Sequence, residues 1–264
     1  MNKFFPQKWV DITGKWKYEK SNENDTLITY MGSTIETPIK YGLCLNEGRI
    51  TQGTISTVVS FPKTVKEARI LFGYDSQQSN YFTAGIGGWQ YGYSIQEFVP
   101  GFGWKGLRTA GSIQNLKSEQ DYKLAVKIIG NRITLLIDDI ELLEHILEKP
   151  LEGNQLGLFT VGDFPINFQN YQYMPERTDI FVVMQFSEPY DSLYQEVIKN
   201  VAEEFSLNPM RADDVFGPGI ILQDIIKYII ESAIIIAEIS PANPNVFYEL
   251  GYAHALKKHT ILLA

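Results

Sequence analysis

The stretch NPNVFYELGYAHAL, residues 243 to 256, sets a single carboxylate, Glu249, between Tyr248 and Leu250 in an otherwise apolar and aromatic run. A helix lying on a sheet keeps its charges toward solvent, so this glutamate is either an ordinary exposed residue or a reactive one. Asn243 and Pro244 have the types expected of an N-cap and a first helical position. Asn245 then falls four residues before Glu249 on the same face, where it could orient the carboxylate or bond a ligand hydroxyl. Val246, Leu250 and Ala253 make a second face suited to packing on a sheet, and Gly251 would permit close approach. A different chemistry is offered by GIGGWQYGYSIQEFVPGFGWKG, where Trp89, Tyr91, Tyr93 and Trp104 present flat faces for sugar rings. The plainer alternative is that half of these side chains enter a core and the rest line a loop. No pair of acidic residues stands out as a glycosidase acid and nucleophile. Cys44 stands alone and three scattered histidines lack metal-ligand spacing, so neither a disulfide scaffold nor a metal site is expected.

Two kinds of element must position these residues. Up to about residue 173 the pattern is strand after strand, from GKWKYEK through GTISTVVSF and ARILFGYD to INFQNYQY, punctuated by turn residues. In YKLAVKIIGNRITLLIDD two β-branched runs meet through Gly130-Asn131, the composition of a tight hairpin. An all-β sandwich or jelly roll over residues 1–175 follows. After YMPERTD the pattern changes to a continuous apolar strand, IFVVM, and then to a helical run in which Leu193, Val197, Val201 and Phe205 recur. The segments NPMRA, IILQDIIKYIIES, AIIIAEI and TILLA complete a β-α-β-α-β-α-β alternation over 178–264. That alternation predicts a flavodoxin-like parallel sheet covered by helices on both faces. Ligands bind such sheets beyond the carboxyl ends of the strands. The loops there are MQFSEPYD with Met184 and Phe186, RADDVFGPG, and SPANPN with Ser240 and Asn243.

Bulk properties narrow the classes. The 264 residues carry a net charge of -8, with 44% hydrophobic and 13% aromatic residues, ample for packed cores. From Thr178 onward five Lys/Arg stand against twelve Asp/Glu, so nearly all the net charge lies in the last third. Nucleic-acid binding needs clustered positive charge and is not expected. No apolar run is long enough for a membrane span and no signal peptide is recognisable, so the expectation is a cytoplasmic protein with no membrane partner.

The run Tyr122 to Tyr173, with its hairpin, the DD near the end of the second strand, PLEGNQLGLFTVG and INFQNYQY, resembles the closing half of concanavalin A-like sandwiches of the laminin G, lectin and glucanase type. Such domains bind glycans, bind proteins, hydrolyse sugars or brace a neighbour. FVVMQF, RADDVFGPG, IIIAEIS and NPNVFYELGYAHAL together resemble nucleoside 2-deoxyribosyltransferase-like domains and their bacterial Toll/interleukin-receptor-like relatives. That resemblance implies a substrate nucleotide or nucleoside, NAD foremost, no separate cofactor, and Glu249 as the catalytic carboxylate acting on the anomeric carbon. Breaking an N-glycosidic bond builds positive charge on the sugar, which a carboxylate can steady or capture. On this reading Arg211, Asp213 and Asp214 recognise ribose or base, the alternative being a solvated loop. Gly217 and Gly219 present amides to a phosphate, the alternative being a plain helix start. Met184, Phe186, Glu238, Ser240, Asn243 and Asn245 complete the substrate site. Two features depart from the pattern: Glu238 stands where relatives carry aspartate, and Gln185 where they often carry proline. Relatives also continue beyond a fourth strand, so either the sequence is shortened at its C-terminal end or the sheet edge and part of the pocket come from elsewhere, such as a second subunit. The expected function is thus N-glycosidic cleavage or exchange by a regulated, antiviral-type effector. The alternative is a non-catalytic module that recognises a nucleotide or protein, with a glycan- or protein-binding sandwich.

Overall fold

The computed structural model describes residues 3–22, 25–32, 40–63, 66–151, 153–215 and 222–264. The chain divides into two compact units, the first Met1–Ile128, Ile133–His145 and Leu151–Pro175, the second Ile129–Arg132, Ile146–Pro150 and Glu176–Ala264.

The first unit contains β1 (Trp9–Thr13), β2 (Lys15–Asn22), β3 (Asp25–Gly32), β4 (Tyr41–Arg49), β5 (Gly53–Ser60), β6 (Glu67–Tyr74), β7 (Tyr81–Gly87), β8 (Tyr91–Val99), β9 (Gly103–Ser112), β10 (Tyr122–Ile129), β11 (Arg132–Ile137), β12 (Ile140–Ile146), β13 (Gln155–Val161) and β14 (Ile166–Pro175). They build two seven-stranded sheets, ordered β1-β4-β13-β6-β7-β8-β9 and β12-β11-β10-β5-β14-β3-β2. This is a β-sandwich of jelly-roll type, as the strand punctuation predicts. Strand periodicity selects the core: on β10, Tyr122, Leu124, Val126 and Ile128 are buried while Lys123 is exposed. Their partners on β5, Val59, Thr57 and Ile55, are buried as well. In the other sheet Cys44, Leu158, Ile70, Ala84 and Ile95 lie side by side on adjacent strands and are fully buried. Gly42 on that same side of β4 is pressed against Tyr30 of β3, which marks this row as the interior between the sheets.

The opposite side of the β1–β9 sheet therefore faces away from the other sheet, with most of its side chains still buried. It carries Leu43 and Leu45 of β4, Phe159 and Val161 of β13, Arg69 and Leu71 of β6, Tyr81 and Thr83 of β7, Ser94, Gln96 and Phe98 of β8, and Trp104 and Gly106 of β9.

The second unit has β15 (Asp179–Val183), β16 (Asn208–Arg211), β17 (Ile234–Glu238) and β18 (His259–Leu263), parallel and ordered β16-β15-β17-β18. Its helices are α1 (Tyr190–Ser192), a π-helical stretch Leu193–Ile198, α2 (Lys199–Glu204), α3 (Ala212–Val215), α4 (Leu222–Glu231) and α5 (Pro244–Ala255). β15 is buried on both sides, as a parallel strand between helical layers must be. Phe181 and Val183 pack with Ile229, Val246, Leu250 and Ala253 of α4 and α5. Ile180, Val182 and Met184 pack with Tyr194, Ile198 and Ala202.

Two expectations for the helices need correction. The face of the first helical run that packs is offset by one residue from the expected one. Tyr194, Ile198 and Ala202 are buried, whereas Val197, Val201 and Phe205 are exposed. Tyr194 brings the larger apolar surface, and Asp214 receives its hydroxyl at 2.5 Å. Gly251 does not serve a close approach, because a Cβ there would meet open space.

Candidate functional site

The carboxyl edge of the parallel sheet borders a cavity of about 390 Å³. Its walls come from Val182 and Val183 of β15, Met184, Gln185 and Phe186 just beyond it, Ala212, Leu222 and Ile225, and Asn243, Asn245, Val246, Tyr248 and Glu249 at the start of α5. The local sequence explains the placement. Asn243 has extended backbone and its side chain accepts a hydrogen bond from Asn245 N at 3.0 Å, while Pro244 occupies the first turn. Burial of Val246, Leu250 and Ala253 against the sheet then fixes the rotation of α5. Glu249, one turn beyond Asn245, is left at the cavity wall. Among the described residues it makes no hydrogen bond or ion pair, and burial alone pushes its pKa up to about 7.

Of the residues singled out in the sequence, Glu249, Asn245, Asn243, Met184 and Phe186 are brought together here. Arg211, Asp213, Asp214, Glu238 and Ser240 do not line the cavity. Arg211 is spent on its neighbours: Nε and Nη2 donate to Asp213 at 2.6 Å each, Nη1 lies 2.8 Å from Asp191, and the guanidinium stacks on Tyr194 and Phe186 at 4.5 and 5.3 Å. Burial pulls its pKa down, but the two aspartates outweigh that and raise it. Asp214 is engaged by Tyr194 and by Lys199 at 3.2 Å. Glu238 is buried and accepts Ser240 N at 2.7 Å, which closes the turn after β17. Gly217 and Gly219 lie outside the described residues.

The outer face of the sandwich is a second candidate. Trp104 packs among Phe159, Phe98 and Tyr81 with ring centroids 4.9, 5.3 and 5.7 Å away. Tyr93 lies on the other side of the sheet, in the row of Ile95 and Ile86. Between β7 and β8 the chain folds over the outer face, so that a Cβ on Gly88 would collide with Arg69, Ser94 and Gln96. The next residue, Trp89, adopts φ 53 and remains 57% exposed. Its ring covers Gly106, whose added Cβ would lie 2.9 Å from Cζ3. Trp104 and Gly106 are two residues apart on one face of β9, so Trp89 over Gly106 and Trp104 occupy neighbouring places on that face.

Beneath this loop Arg69 is fully buried. Nη1 donates to Thr83 Oγ1 at 3.1 Å, and Nη2 to Gly87 O at 2.6 Å and Ser94 Oγ at 2.7 Å. Nε lies 3.1 Å from Glu67 Oε2. Burial lowers the Arg69 pKa to about 10 and raises that of Glu67, each opposed by the charge of the other. Gln96 is 2% exposed and its Nε2 has no hydrogen-bond partner among the described residues.

No family model and no curated protein matches this chain, so the resemblance of residues 178–264 to nucleoside 2-deoxyribosyltransferases and Toll/interleukin-receptor-like domains finds no support. Solved structures do match. They include the carbohydrate-binding module CBM66 from Bacillus subtilis, with 15% identity, 63% of this chain, 94% of that chain and TM-score 0.48. A Bacillus licheniformis β-glucanase has 10% identity over 64% of this chain and 92% of its own, TM-score 0.43. A galectin from Caenorhabditis elegans has 12% identity over 59% and 99%, TM-score 0.39.

The names of these structures belong to carbohydrate binding and glucan chemistry and not to nucleotides, and no family model or curated protein supports the N-glycosidic expectation. Cleavage or exchange at a nucleoside bond, NAD turnover and the antiviral-effector reading are corrected accordingly.

Arg69, Glu67 and Gln96 at the sandwich face, and Leu222 and Ile225 as cavity walls, do not stand out in the sequence. One signal was available: a lone arginine within the strand EARILFGY has to be paired if it is buried.

Proposed function

We propose that this protein is a non-catalytic recognition protein whose β-sandwich binds carbohydrate on the outer face of the β1–β9 sheet. The observation that carries this is the pair of indoles on one face of β9, Trp89 exposed over Gly106 and Trp104 beside it. A bulky residue is rarely held at positive φ, and here that conformation keeps an apolar ring in solvent. Sugar rings present flat C–H faces that stack on such surfaces.

Hydrolysis is not part of the proposal. Glycosidases need two carboxyl groups about 5 to 9.5 Å apart across the bond. Among the described outer-face positions of β6 to β9 the carboxylate is Glu67, and it is paired with Arg69. We read the second unit, with its order β16-β15-β17-β18, as a flavodoxin-like module attached to this binding domain. A glycan array probed with the full chain, followed by a reducing-end assay on every glycan retained, tests the reading. Retention without new reducing ends is expected; no retained glycan, or release of reducing ends, would overturn it.

A further inference from the structure

The cavity of the second unit has a chemistry that the sandwich does not share. Its lining combines apolar side chains, the rings of Phe186 and Tyr248, the amides of Gln185, Asn243 and Asn245, and the one carboxylate of Glu249. Among the described lining residues there is no lysine, arginine or histidine. Arg211 stacks on Phe186, but Asp213 and Asp191 already meet its charge. An anion entering this space finds a carboxylate and no counter-charge. A cation finds an unpaired carboxylate in partly desolvated surroundings, where the attraction exceeds its value in water. Aromatic faces add to the pull on a cation. The volume of about 390 Å³ lies within the range of small-molecule pockets.

We propose that this cavity binds a small, ring-bearing organic cation, held by Glu249 and flanked by Tyr248. The inference is independent of carbohydrate binding by the sandwich, and either can fail alone. It involves no bond cleavage. The ligand donates hydrogen bonds to the Glu249 carboxylate, its ring lies among Val182, Ile225 and Tyr248, and Asn245 is placed to accept or donate at the rim.

Three isosteric probes test it on the full chain by isothermal titration at pH 8: benzamidine, benzamide and benzoate. They share one ring and differ only in charge. Benzamidine is expected to bind at about 1 mM or tighter, as a well-seated fragment can. Benzamide and benzoate should bind at least tenfold more weakly. Glu249→Gln, which keeps the shape and removes the charge, should weaken benzamidine at least tenfold. Glu249 and Tyr248 are the titratable groups of the described lining, so benzamidine affinity should also fall as pH drops through about 7, where the carboxyl takes up its proton. No binding of benzamidine, equal binding of benzoate or benzamide, or a Glu249→Gln protein within twofold of the original would each overturn the proposal.

Discussion

Arg69 and Glu249 are both charged side chains withdrawn from water, and the protein treats them in opposite ways. Arg69 lies under the Gly88-Trp89 loop with Thr83, Gly87, Ser94 and Glu67 around it, and no further partner is needed. Glu249 stands at the wall of an open cavity with its carboxylate unanswered. Removing a charge from water costs several kcal/mol unless partners replace the lost hydration. Where the fold supplies those partners the charge is architecture, holding the strand edges and the loop that displays Trp89. Among the described residues Glu249 has no such partner, and that leaves its carboxylate open to an external cation.

The sharpest way to break this contrast is to remove the arginine. Arg69→Leu leaves the partly buried Glu67 without its counter-charge and Thr83, Gly87 and Ser94 without their donor, and should destabilise the sandwich by about 3 kcal/mol in chemical denaturation. A loss under about 1 kcal/mol would mean that the cluster is not structural. Arg211→Ala should come next, at about 2 kcal/mol and confined to the second unit, because Asp191 and Asp213 are partly exposed and water can take over their charge. Domain-resolved hydrogen exchange would show the loss in β15, β16 and α3, and uniform protection changes in both units would contradict the assignment.

Glu249→Gln should act with the other sign. Its folded pKa of about 7 lies above the ordinary 4.5, so the folded state holds the proton more tightly. Between those values the native protein therefore loses stability as pH rises. Glutamine does not titrate, so the variant should be the more stable at pH 8 and equal to the original below about pH 4.5. The gain should be under about 1 kcal/mol, since the group is only half-buried and solvent screens it. Calorimetric melting at the two pH values checks this; a variant destabilised at pH 8 would show that Glu249 has an internal partner. The smallest effect belongs to Trp89→Ala, whose exposed ring should alter stability by no more than about 0.5 kcal/mol.

Ten of the fourteen sandwich strands and all four parallel strands were legible as periodic apolar runs, because burial on one or both faces writes itself into strand patterning. β9 was not. Its sequence GWKGLRTAGS has three glycines and two basic residues, and pairing with β8 rather than its own pattern makes it a strand. β12, IELLEHI, is an edge strand with exposed apolar residues and so lacks a clean alternation. In the second unit the cap at Asn243 and the buried face of α5 could be read from residue types, and together they aim Glu249 at the cavity. The engagement of Arg211 could not, because Asp191 lies twenty residues away and Tyr194 reaches it only after the sheet has formed. The polar cluster under Trp89 was illegible for the same reason, since Arg69, Ser94 and Gln96 meet only through strand register.

Carbohydrate recognition on the outer sheet face is tested most directly by probing one glycan array with the original protein and with Trp89→Ala in parallel. The expected result is a defined set of glycans retained by the original chain and at least tenfold weaker binding of that set by Trp89→Ala, equivalent to about 1.4 kcal/mol, with the melting temperature unchanged. Equal retention by the two proteins, or no glycan retained by the original, would contradict it.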